Sequence, residues 1–140
     1  MQGRLALFDL DNTLLAGDSD HGWGQFMVSE RLVDGDDYAA KNDAFYQDYL
    51  AGTLDMVAYA EFALAPLTRY SAEQLKVIHQ KFMQTTVIPM VAIKTQALLK
   101  KHREAGDVLV IITATNDFIT APIAQYLNIP HLIATPTQCI

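Results

Sequence analysis

Cysteine is nearly absent: Cys139 is the only one in 140 residues. A single thiol excludes an internal disulfide framework and a cysteine-built zinc site. Long apolar runs are missing too. Leu5 to Phe8 is four residues long and Asp9 stops it, whereas a secretion signal needs about 7–15 apolar residues and a membrane helix about 20. A soluble, cytoplasmic protein with no membrane partner is expected. Basic residues are few, 10 against 16 acids, for a formal net charge of −6. That balance argues against a nucleic-acid partner, because phosphate backbones call for a basic face. It leaves room for a small phosphate ester held in a pocket that also recruits a cation. Repeats, low-complexity stretches and flexible linkers are lacking. What is plentiful is core material: hydrophobic residues make up 51% and charged residues 19%, so disorder is not expected.

Leu5-Ala6-Leu7-Phe8 is continuously apolar, which reads as a short strand buried on both faces of a parallel sheet. Val108 to Ile112 is a second such strand. The stretch between them reads as helix. Ser19 or Asp20 starts a helix to about Leu32, and Asp36 or Asp37 starts one that Gly52 ends. Thr53 caps a third through about Ala65, and Ser71-Ala72-Glu73-Gln74 forms a capping box for a fourth to about Thr85. Pro89 suits the first turn of a fifth, ending at Gly106 after the basic turn Lys100, Lys101, His102, Arg103. Asn116 or Asp117 caps a helix to about Leu127. Asn128-Ile129-Pro130 then turns into an apolar segment, His131 to Ala134. The fold class is α/β: a doubly wound, mostly parallel sheet with an inserted helical cap. Residues 1–16 and 87–140 form the core, discontinuous and C-terminally incomplete, and residues 17–86 the cap. Tyr38, Phe45, Tyr46, Tyr49, Tyr59 and Phe62 are read as the cap's core. The scattered His21, His79, His102 and His131 show no ligand spacing.

Asp9-Leu10-Asp11-Asn12-Thr13 follows the first strand directly, and open α/β sheets bind ligands beyond the carboxyl ends of their strands. Two carboxylates this close repel unless a hard cation binds them or one holds a proton. Magnesium would also neutralise a substrate phosphate. One carboxylate could then attack phosphorus while the other exchanges a proton with the leaving oxygen. The bland alternative is a turn-and-cap cluster, because Asp, Asn and Thr favour turns.

Phe8-Asp9-Leu10-Asp11-Asn12-Thr13-Leu14 resembles the first motif of the haloacid dehalogenase superfamily, an apolar strand followed by Asp-x-Asp-x-Thr. The resemblance implies that Asp9 is the nucleophile, forming an aspartyl-phosphate, and Asp11 the general acid and base. Mg2+ would take the Asp9 carboxylate and the Asp11 main-chain carbonyl, and Thr13 would fix the loop. Ile111-Ile112-Thr113 resembles the second motif. Thr113 would then bind a phosphoryl oxygen, with the main chain at Leu10 and Ala114 contributing. Asn116 either reaches substrate or caps the helix. The all-helical insertion is similar to that of phosphoserine phosphatases. Asp18 falls where those enzymes carry a substrate-facing Glu, and the shorter side chain argues against phosphoserine itself; the other reading of Asp18 is a helix cap. Haloalkanoate dehalogenases lack the second Asp, so Asp11 favours phosphoryl chemistry.

The family's later motifs, a Lys and a Gly-Asp-x-x-x-Asp pair, do not occur within these residues. The expectation is the front portion of a longer enzyme, or a chain that closes an open sheet edge by self-association. Two functions are carried forward: a magnesium-dependent phosphatase acting on a small phosphorylated metabolite, and a non-catalytic phospho-ligand-binding or regulatory relative of the same fold. A receiver domain also gathers acids around a phosphorylated Asp, but no aspartate directly follows Val108 to Ile112.

Overall fold

The computed structural model describes residues 3–137. Cys139 lies outside them. The chain divides into two compact units, Met1–Ser19 with Met83–Ile140, and Asp20–Phe82.

The first unit carries a parallel sheet in the order β1-β2-β3, with β1 at Leu5–Phe8, β2 at Val108–Asn116 and β3 at His131–Thr135. Leu5 pairs with Val108 and Phe8 with Ile111; Val110 pairs with His131 and Ile112 with Ile133. Helix α6 (Ile93–Glu104) connects into β2, and α7 (Asp117–Tyr126) connects β2 to β3. Right-handed connections that step the same way across a sheet place their helices on one face. Contacts agree: the His102 ring of α6 meets Phe8 edge-on at 5.4 Å, and Arg103 of α6 donates to the carbonyls of Leu127 and Asn128 at the end of α7. Ala6, Phe8, Leu109 and Ile111 are buried with Leu99, Ile119, Ile123 and Leu127.

Burial of β1 on both faces, expected from its unbroken apolar run, does not hold within the described residues. Leu5 and Leu7 are 68% and 57% exposed, because both connecting helices cover the Ala6 and Phe8 side. Two residues of the basic turn, His102 and Arg103, are engaged. Arg103 bonds the end of α7, and His102 Nδ1 lies 2.7 Å from Asp107. Asp107 also faces Arg4 at 3.4 Å. The His102 hydrogen bond, and then the positive charges of Arg4 and His102, outweigh desolvation and hold the Asp107 carboxyl below its ordinary value.

The fifth helix does not start at Pro89. Pro89 sits in the one-turn α5 (Ile88–Met90), after which Val91 is extended. Ala16 N–H donates to the Met90 carbonyl at 2.8 Å, and Leu15 bridges to Val91, so the chain is drawn out of the helix before α6.

The second unit holds α1 (Ser19–Ser29, from Asp20 on), α2 (Gly35–Ala51), α3 (Met56–Leu64) and α4 (Ala72–Phe82). The capping box is formed reciprocally: Ser71 N–H donates to Gln74 Oε1 at 2.9 Å, and Gln74 N–H to Ser71 Oγ at 3.1 Å. Gly52 ends α2 at φ 75. Asp55 rather than Thr53 caps α3, accepting from Val57 and Ala58 N–H; Thr53 instead donates to the Asp48 carbonyl. Helix α1 stops at Ser29, short of Leu32, and Arg31 takes φ 59. The aromatic core centres on Trp23, Phe26, His79 and Phe82, with ring centroids 4.9–5.7 Å apart. Of the six aromatics expected there, Tyr38 is buried and stacks on Phe62 at 4.4 Å, while Tyr49 is exposed. Burial, and secondarily the charge of Asp20, push the Tyr38 phenol above its usual range.

Candidate active site

Parallel pairing of β1 with β2 sends the segments after Phe8 and Ile111 off the same edge of the sheet. After β1 the chain makes one wide turn, closed by Leu15 N–H donating to the Leu10 carbonyl at 3.1 Å. Inside it Asp11 is extended and Asn12 is left-handed at φ 57, a conformation asparagine tolerates better than most residues. Asn12 N–H donates to the Gly17 carbonyl at 2.9 Å. Leu10 and Leu14 are buried beneath the turn, Asn12 and Thr13 between them are exposed, and Asp11 is half-buried.

Asp9 is exposed. Its Oδ1 accepts from Leu10 N–H at 2.9 Å and its Oδ2 from Thr13 Oγ1 at 3.3 Å. Asp11 is held differently. Its Oδ1 accepts from both the N–H and the Oγ of Ser19 at 2.6 Å, and its Oδ2 accepts from Thr115 Oγ1 at 2.8 Å. That last bond joins the turn after β1 to the end of β2 across 104 residues of sequence.

Strand β2 continues past Ile112 to Asn116, with a register shift against β3 between those residues. Thr113 therefore lies within the strand. Its Oγ1 accepts from Thr115 N–H at 3.1 Å, which leaves its hydroxyl proton to donate elsewhere. Ala114 is exposed. Asn116 takes the capping alternative: its Oδ1 accepts from Ile119 N–H at 3.0 Å at the start of α7. Asp18 is half-buried and immediately precedes the buried Ser19.

Two partners of Asp11 carried no role in the sequence reading. Ser19 reads from sequence only as a possible helix start, and Thr115 is not singled out by it. The available signal for Thr115 was its place two residues after Thr113 along an extended strand.

Magnesium takes oxygen ligands in a near-octahedral shell. The Asp9 carboxylate and the Asp11 main-chain carbonyl are donors of that kind. Asp9 has two of its roughly four acceptor positions occupied. Among the described residues no three His, Cys, Asp or Glu side chains group as metal ligands. These atoms are of the kind a hard cation takes and would supply part of its shell.

The family model for haloacid dehalogenase-like hydrolases matches residues 6–138. The chain belongs to the haloacid dehalogenase-like hydrolase family. This hydrolase-family chain is 44% identical over 134 residues to a histidinol-phosphatase from Neisseria meningitidis serogroup C (strain 8013), covering 96% of the chain and 60% of that protein. A solved protein of unknown function from Bordetella pertussis Tohama I is 38% identical with a TM-score of 0.88; the match covers 99% of the chain and 62% of that structure. The fold also matches a phospho-aspartyl intermediate analogue of phosphoserine phosphatase at TM-score 0.63 and 14% identity, over 96% of the chain and 56% of that structure. The chain thus spans about three-fifths of the length of its more similar relatives. Among the described residues, no helix is long and apolar enough to cross a membrane.

Proposed function

We propose that this haloacid dehalogenase-like chain carries the nucleophile and the general acid of a magnesium-dependent phosphatase acting on a small phosphate monoester. The observation that carries the reading is the pair of differently held carboxylates at one sheet edge. Asp9 is exposed with acceptor capacity to spare, and Asp11 is fixed by Ser19 and Thr115. An exposed, oriented carboxylate suits attack, and a carboxyl held by hydrogen bonds suits directed proton transfer.

An Asp9 oxygen attacks phosphorus, forming the Asp9 O–P bond as the ester P–O bond breaks. Asp11 gives its proton to the leaving alkoxide. In the second half Asp11 takes a proton from water as the water oxygen attacks phosphorus. The Asp9 O–P bond breaks, and phosphate leaves with Asp9 regenerated. Thr113 and the main chain at Leu10 and Ala114 hold phosphoryl oxygens. Leu10 N–H already lies at the attacking carboxylate. The Asp9 carboxylate and the Asp11 main-chain carbonyl would hold magnesium, which when bound would supply charge neutralisation at the phosphate. The helical unit Asp20–Phe82 serves as the cap, Asp18 is assigned to substrate recognition, and Asn116 caps the start of α7.

The histidinol-phosphatase relative makes histidinol phosphate the first ester to test, beside phosphoserine and glycerol phosphate. The assay is phosphate release by the full natural polypeptide, with and without magnesium. Asp9→Asn is expected to lower turnover by at least about 10³-fold, as loss of a nucleophile does. Wild-type turnover in Asp9→Asn would refute the nucleophile. No turnover of any ester by the unaltered polypeptide would favour the non-catalytic phospho-ligand-binding alternative.

A further inference from the structure

Resting on the reading of Asp11 as the general acid, we propose that Thr115 is a positioning residue. With Ser19 it fixes which Asp11 oxygen exchanges the proton with the leaving group. A carboxylate offers roughly two acceptor positions on each oxygen. Oδ1 has both filled, by Ser19 N–H and Ser19 Oγ at 2.6 Å. A main-chain N–H cannot reverse to accept, so Oδ1 has no place for the transferable proton. Oδ2 has one position filled, by Thr115 Oγ1 at 2.8 Å. Its second position receives the proton that passes to the leaving oxygen.

Both donors are well placed to do this. Ser19 is fully buried and Thr115 is 9% exposed, so neither hydroxyl is readily exchanged for a water. Thr115 is itself held, because its N–H donates to Thr113 Oγ1 at 3.1 Å. That links the Asp11 carboxyl to the proposed phosphate-binding hydroxyl through one residue of β2. Without Thr115 Oγ1 the Asp11 carboxyl keeps its Ser19 anchor but can pivot about it, and misplacing a reacting group by about 1 Å costs up to about 100-fold in rate.

Leaving-group dependence separates this role from a structural one. A nitrophenolate departs with little proton assistance, whereas an alkoxide requires it. The experiment measures kcat/KM of the full natural polypeptide with magnesium on p-nitrophenyl phosphate and on an alkyl phosphate monoester. The variants are Thr115→Val, Thr115→Ala, Thr115→Ser and, as the reference, Asp11→Asn. The expected result is a loss of about 10–100-fold on the alkyl ester for Thr115→Val and Thr115→Ala, with less than about threefold on the nitrophenyl ester. Thr115→Ser returns to within about threefold of wild type on both. Equal losses on the two esters, or no recovery in Thr115→Ser, would overturn the proposal. If Asp11→Asn shows the alkyl-selective loss and the Thr115 variants do not, the role of Thr115 alone fails. If Asp11→Asn shows no such selectivity, the general-acid reading fails and takes this inference with it.

Discussion

Thr95 offers a sensitive test of how the Asp9 turn is held. It lies in the first turn of α6, is 4% exposed, and donates from Oγ1 to the Leu14 carbonyl at 2.8 Å across 81 residues of sequence. Leu14 is itself 1% exposed and is the last residue of the turn that Asp9 precedes and that carries Asp11. Thr95→Val keeps the side-chain shape and removes the hydroxyl. A buried carbonyl that loses its donor costs about 1–3 kcal/mol, and the added methyl returns up to about 0.8 kcal/mol through apolar burial. The expected net loss is about 1–2 kcal/mol, or about 3–7 °C in melting temperature for a chain of this size. Thr95→Ser keeps the donor and loses one methyl, a change worth about 0.5–1.5 kcal/mol, so the melting temperature alone does not separate the two. Amide hydrogen exchange does. The Asn12 and Leu15 N–H groups close the turn onto the Gly17 and Leu10 carbonyls, and they are expected to exchange faster in Thr95→Val but not in Thr95→Ser. A Thr95→Val protein melting within about 1 °C of wild type, or equal exchange in the two variants, would refute the tether.

Two further outcomes test the frame around the site. The Asp107 carboxyl is held below its ordinary value, first by the His102 hydrogen bond. Its charged form is therefore favoured in the fold, and its contribution to stability is present above about pH 4. That contribution is lost as pH falls through the lowered folded value. Urea melts should show wild type more stable than Asp107→Asn near neutrality, with the two converging in strong acid; a difference that persists undiminished there would contradict this. A Cβ at Gly24 would lie 2.5–2.6 Å from the side chain of Asn42, which is 3% exposed and donates to the His21 carbonyl at 3.3 Å. Overpacking of about 1–3 kcal/mol exceeds the roughly 1 kcal/mol of helix propensity that alanine adds, so Gly24→Ala should lower the melting temperature; a rise would show that Asn42 moves aside.

Local chemistry was legible along the chain wherever it was decided by neighbours in sequence. The capping box at Ser71 and Gln74, the stop at Gly52, and the apolar strands at Leu5 and Val108 each depend on residues a few positions apart, so pattern alone located them. The Asp9-x-Asp11-x-Thr13 run and Thr113 were legible for the same reason, as short polar segments at the ends of apolar ones. Cap position was less secure. Asp55 and Thr53 both qualify by residue type, and the backbone's path out of Gly52 chose Asp55.

Long-range pairing was decided by the tertiary structure alone. The break at Val91 comes from its bridge to Leu15, a residue on the far side of the helical segment. The exposure of Leu5 and Leu7 follows from both connecting helices lying on one face of the sheet, and an apolar run cannot reveal which face is covered. Most consequential for the proposed chemistry, the donors to Asp11 differ in origin. Ser19 is eight residues away and Thr115 is 104. Sequence by itself determined the two carboxylates and the hydroxyl that could carry phosphoryl chemistry. Only folding could determine which of them share a hydrogen bond, because a contact between the end of β2 and the turn after β1 exists only once those strands lie side by side.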